Sequence, residues 1–204
     1  MDFNAIIKRA IAIIFKPKEE WATIKSESLT LKDLYLNYAI ILYAIPSVAF
    51  LIGRIIGGAP IGMALVWAIL LYVLTIGVLF LMGLLVEVIG AQFGGAKDMI
   101  GSHKLAVFSL TPYALIGIIF ILPVGGFYGF GGGGIFYIVL LVSLYSFFIM
   151  YLGAQELKGI TAQDKLIPFV IIMAVIWLIL IYVAHRISAS IAYDLLIGSF
   201  RRGF

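Results

Sequence analysis

Five apolar runs, each near the length of a bilayer crossing, decide what this chain can become. They cover about residues 34–52, 63–89, 105–122, 135–152 and 166–184. A hydrocarbon slab about 30 Å thick needs about 20 apolar residues per helix. Inside it no water satisfies the backbone, so each run must close its own hydrogen bonds as a helix. A membrane β-barrel needs alternating segments of about ten residues, and stretches such as Ile69-Leu70-Leu71 do not alternate. Soluble domains carry about 25% charged residues. Here 12% are charged and 64% hydrophobic, which leaves no room for a sizeable soluble domain. The expected fold is an all-α integral membrane bundle of five transmembrane helices with a short cytoplasmic N-terminal amphipathic helix.

Punctuation between the runs divides the chain into residues 1–33, 34–185 and 186–204. In the first part, Phe3, Ile7, Ala10 and Ile14 recur on one helical face, with Lys8 and Arg9 off it. Thirteen residues cannot span a bilayer but suit a helix in the headgroup plane. Pro17 ends that helix because proline has no N–H to donate. Trp21, Lys8 and Arg9 are the expected interfacial anchors. Thr30-x-x-Asp33 marks a helix start before the first span, a weak form of the capping box. Gly57-Gly58-Ala59-Pro60 and the glycine-rich stretch 124–134 read as turns. The last part, semi-apolar and carrying Asp194, Arg201 and Arg202, reads as a helical extension or a surface helix.

Basic residues record orientation in membrane proteins. With five spans and the N-terminus inside, ten lysines and arginines fall on the inner side and four on the outer. The N-terminus is therefore expected in the cytoplasm. The net charge of +4 forms no basic cluster of the kind that binds nucleic acid. No cysteine is present, which excludes disulfides and thiolate chemistry. Lys8 and Arg9 break the first apolar stretch, and no small-residue cleavage site follows, so no signal peptide is read.

The centre of the chain is a hairpin. The second run ends at Phe93-Gly94-Gly95, a polar elbow follows, and the third run carries Ser109, Thr111, Pro112 and Tyr113. Glu87 is the one acid inside an expected span, and intramembrane acids point to function by default. A structural role and a proton or ion role are both open for it. Glu156 holds the matching place at the end of the fourth run, and a cluster of Glu87, Glu156, Lys97 and Lys104 is one possible arrangement. Pro46 and Pro112 are kinks that free backbone carbonyls, and Thr111 is placed to bond them. Asp98 and His103 lack metal-ligand spacing, so no metal or cofactor is expected. Protease and phosphate-loop motifs are absent, and no enzyme is expected.

Four stretches together resemble the Yip family of integral membrane proteins, named for interaction with Ypt/Rab GTPases. They are Pro17-Lys18-Glu19-Glu20-Trp21-x-x-Ile24, Ile45-Pro46 with Phe50-Leu51-Ile52-Gly53, the Phe93-Gly94-Gly95 to Pro112-Tyr113 hairpin, and Tyr151-Leu152-Gly153. The chain is similar to the short prokaryotic type. The resemblance implies five spans, a cytoplasmic N-terminus and no catalysis. Eukaryotic members carry an acidic D-L-Y-G-P motif, matched here only by Leu34-Tyr35, which leaves Rab-type GTPase binding doubtful.

The expected role is a non-enzymatic scaffold or membrane-organising protein. Its partners would be the lipid bilayer and either a second copy or another membrane protein. The alternative is a small transporter or channel, with Glu87, Glu156, Thr111, Pro46 and Pro112 lining the path.

Overall fold

The computed structural model describes the backbone over residues 3–122 and 134–201, and side chains within those ranges except at 134–138, 140 and 196–201. The expected glycine turn falls almost wholly outside the described residues, as does Arg202. Two short helices come first, α1 (Phe3–Phe15) and α2 (Pro17–Ser26). Then follow α3 (Leu31–Ile56), α4 (Ile61–Gln92), α5 (Met99–Ile121), α6 (Gly134–Lys158) and α7 (Gln163–Arg201). Among the described residues, four helices are long and apolar enough to cross a membrane: α3, α4, α5 and the Gln163–Leu195 part of α7.

Local chemistry sets the boundaries. Thr30 and Asp33 make a reciprocal cap: Asp33 N–H donates to Thr30 Oγ1 at 3.1 Å, and Thr30 N–H to Asp33 Oδ2 at 3.2 Å. Aspartate thus serves where glutamate is usual. α3 is not uniform. It widens to a π segment over Tyr35–Ala39 and breaks at Tyr43, just before Pro46. α5 breaks at Leu110, and Pro112 falls in the first turn of its second half, where no N–H is required. α7 does not stop near residue 184. It runs unbroken through the stretch read as a tail, with Pro168 inside its second turn.

Helices in lipid gain nothing from burying oil against oil, so packing and hydrogen bonds must hold them. α5 is the centre: every residue from Gly101 to Ala114 is buried. Its neighbours approach closely through small residues. A Cβ at Gly117 of α5 would stand 2.5 Å from the Pro46 ring, so the kinks of α3 and α5 fit each other. A Cβ at Gly153 of α6 would stand 2.5 Å from Trp21 and 2.6 Å from Leu105. A second, smaller core joins Phe50, Met63, Trp67, Leu71 and Ala192 at the end of the bundle away from the elbow. There the Arg54 guanidinium lies 5.0 Å from the Trp67 ring, and the His185 ring packs on Trp67 and Phe50.

Tyrosine side chains bond to backbone carbonyls close to these breaks. Tyr43 donates to Val107 O at 2.7 Å, three residues before the α5 break. Tyr72 donates to Ile40 O at 2.8 Å, three residues before the α3 break. Tyr145 donates to Ile14 O at 2.7 Å, where Pro17 ends α1. Each tyrosine thus satisfies its own hydroxyl inside the bundle and ties two helices together.

Candidate functional site: a polar junction at the elbow

The elbow is built by two glycines. Gly94 takes φ +83, a conformation side chains rarely adopt, and ends α4. Gly95 N–H donates to Gly90 O at 2.8 Å, and a Cβ there would stand 2.8 Å from the same oxygen. The chain then crosses to α6, where Ala96 N–H donates to Lys158 O at 2.8 Å. Phe93 closes the corner against Phe169 of α7, ring centroids 6.1 Å apart. The hairpin read from sequence therefore ties four helices, not two.

Beneath it lies a compact ionic group. Lys158 Nζ donates to Glu87 Oε2 at 2.7 Å, to Ser102 Oγ at 2.7 Å and to Asp98 O at 3.3 Å. Ser102 donates to the same Glu87 oxygen at 2.6 Å, and Asp98 N–H reaches it at 3.2 Å. The Lys158 side chain is fully buried and Glu87 is 15% exposed. An ammonium has three protons to donate, and all three have acceptors here. Chemically this is a closed tie between α4, α5 and α6. A serine near a buried lysine resembles a nucleophile–base pair, but here both side chains are engaged by the Glu87 carboxylate.

A second layer follows along α5. Tyr35 OH and His103 Nδ1 lie 2.8 Å apart, with Phe80 packed on the imidazole. Gly83 of α4 faces that ring so closely that a Cβ would overlap it. Lys104 turns the other way and donates to Ile24 O at 2.8 Å and Glu27 O at 2.6 Å. It thereby holds the C-terminal end of α2, where the helix dipole favours a cation. Deeper still, the Tyr38 and Thr111 hydroxyls meet at 2.9 Å. Tyr113 sets its ring edge against Trp177, 5.1 Å between centroids.

Several expectations change. Glu87 and Glu156 do not meet: Glu156 pairs with Lys25 of α2 at 3.0 Å. Lys97 is exposed, and Lys104 goes to α2, so the expected four-residue cluster does not form. Trp21 is no interfacial anchor. It is 1% exposed, donates from Nε1 to Ile149 O at 3.0 Å and fills the notch at Gly153. Arg9 is no headgroup contact either. It is paired with Glu20 and Glu27 and lies 5.6 Å from the Phe108 ring centroid. Lys8 remains exposed. Both corrections have one cause: α1 and α2 pack on the bundle through the face that carries these residues. Ile6, Ala10 and Ile13 are the buried residues of α1, not the face through Phe3 and Ile7.

Lys158 and Ser102 are not among the site residues expected from the sequence. A signal existed for Lys158, because an acid inside a span calls for a cation, and this lysine ends the span that also carries Glu156. Among the described residues no three His, Cys, Asp or Glu side chains gather as metal ligands do.

Comparison with known proteins adds a family. The sequence model of the Yip1 domain matches residues 11–187. No curated protein and no solved structure matches the chain.

Proposed function

Because the chain belongs to the Yip1 domain family, we propose that it is a non-enzymatic membrane scaffold. It organises the bilayer or a membrane complex through self-association or another membrane protein. The observation that carries this reading is the closure of the elbow junction. Glu87, Lys158 and Ser102 satisfy one another and tie α4, α5 and α6 together. Pro46 and Pro112 serve the same end, since one kink seats on Gly117 and the other falls at a helix start. A rigid bundle suits a platform for partners. The family is not known for enzymes, which agrees.

In this reading α6 is the fifth span beside the four apolar helices. Its 25 residues suffice in length. The elbow and the N-terminal pair α1–α2 lie on the cytoplasmic side, as the lysine distribution favours. The test is affinity purification from native membranes in mild detergent, with bound proteins identified by mass spectrometry. A stoichiometric membrane-protein partner or a defined homo-oligomer is expected. Solute or ion flux in liposomes that is abolished by Glu87→Gln would contradict the proposal.

A further inference from the structure

Helix α1 has an apolar arc too wide for the surface it packs on. Ile6, Ala10 and Ile13 are 1%, 2% and 0% exposed against the bundle. Next to them around the helix run Phe3, Ile7, Ile11 and Phe15, at 67%, 42%, 51% and 78% exposure. At helical spacing these two stripes are neighbours on one continuous arc. The remaining side is charged or small and includes Ala5, Lys8 and Ala12, while Asn4 falls within the exposed stripe. A helix with such an arc rests in a corner, one part on protein and one part on a second apolar phase.

We infer that the second phase is the lipid of an anionic leaflet, and that α1 is a rigid wedge set into its headgroup–acyl boundary. This deepens the scaffold reading above and rests on it. Two observations name lipid as the occupant. The first is continuity with the bundle surface. Tyr145 of α6 donates to Ile14 O at 2.7 Å, and its ring stacks on Phe148, which is 50% exposed. The free stripe of α1 thus ends beside the outward surface of a membrane helix. The second is charge. Lys8, Lys16 and Lys18 are exposed around the stripe, while Glu19, the exposed acid in that stretch, lies 3.7 Å from Lys16. Lysines at the boundary attract anionic headgroups. Peripheral amphipathic helices are free to leave the membrane, whereas this one is fixed. Arg9 pairs with Glu20 and Glu27, Trp21 is locked at Gly153, and Lys104 holds the end of α2. A wedge that cannot leave keeps one leaflet permanently displaced beside the bundle.

The chain lacks cysteine, so single cysteines report without background. The full protein carrying Ile7→Cys, Ile11→Cys or Lys8→Cys is labelled with an environment-sensitive fluorophore. It is reconstituted in phosphatidylcholine vesicles with and without phosphatidylglycerol. At positions 7 and 11 a lipid-borne nitroxide is expected to quench several-fold more than aqueous iodide, and at position 8 the order reverses. Replacing Lys8, Lys16 and Lys18 together with glutamate is expected to weaken lipid quenching most in the anionic vesicles. Iodide access at 7 and 11 equal to that at 8 overturns the wedge. So does shielding from both quenchers that depends on protein concentration, which would place a second copy on the stripe. Lipid quenching of equal strength in neutral vesicles, unaffected by the glutamates, overturns the anionic preference. None of these outcomes touches the partner purification, so the scaffold reading stands or falls separately.

Discussion

Helix α5 is the less apolar of two candidate spans and the more buried: 67% of its most apolar stretch is inside the bundle, against 22% for α7. The difference follows from what each helix carries. α5 bears Ser102, His103, Lys104, Ser109 and Thr111 within ten residues, spread around its circumference. In lipid such groups call for partners, and Ser102, His103, Lys104 and Thr111 find theirs on different neighbours, so α5 is surrounded. α7 offers isoleucines such as Ile171, Ile179 and Ile187 outward, and lipid accepts them without further arrangement. In water the most apolar helix goes to the centre. Here polarity selects the central one.

The largest expected effects come from attacking α5 and its partners. Leu105 is fully buried beside Trp21 and Gly153, so Leu105→Ala should lose about 2–5 kcal/mol of stability. Thermal unfolding in detergent against the parent protein measures it. Lys158→Met leaves Glu87 and Ser102 without their cation. Removing one member of a buried pair costs about 3–5 kcal/mol, and adding Glu87→Gln should restore part of the loss. A double variant no more stable than Lys158→Met alone would show that the two residues act independently.

The comparison sharpens at intermediate size. Gly83 faces His103, whereas nothing lies within 4 Å of a Cβ at Gly77 of the same helix. Gly83→Val should destabilise by about 1–3 kcal/mol through overpacking. Gly77→Val should be neutral in the same melt, and equal losses at both sites would break the assignment of faces. Tyr43→Phe removes one bond to Val107 O. The loss should be about 0.5–1.5 kcal/mol, with hydrogen exchange rising near the Leu110 break. Smallest is Ile179→Ala on the outward side of α7, expected within about 0.5 kcal/mol of the parent.

Sequence reveals these two helices unequally. The spans are legible because bilayer thickness fixes their length, and the elbow because only glycine fits its turn. The centrality of α5 was also written in the chain, as polar residues on all sides of an apolar run. Pattern cannot show the partner, however. Glu87 and Lys158 lie 71 residues apart, and only the packing of both α4 and α6 against α5 brings them together. The N-terminal helices mislead for a related reason. Periodicity finds the apolar arc of α1 but not which part of it meets protein, so Arg9 and Trp21 read as headgroup contacts when they are the residues that clamp α1 and α2 to the bundle. The Tyr35–Ala39 π segment and the break at Tyr43 leave no mark beyond Pro46.

α5 is enclosed by protein while α7 faces lipid. Spin labels at Val107→Cys and Ile179→Cys in reconstituted full-length protein test it directly, by accessibility to oxygen, which partitions into lipid, and to a water-soluble nickel complex. The account predicts high oxygen access at position 179 and little access to either reagent at position 107, where the native side chain is fully buried. Equal oxygen access at the two positions would contradict it.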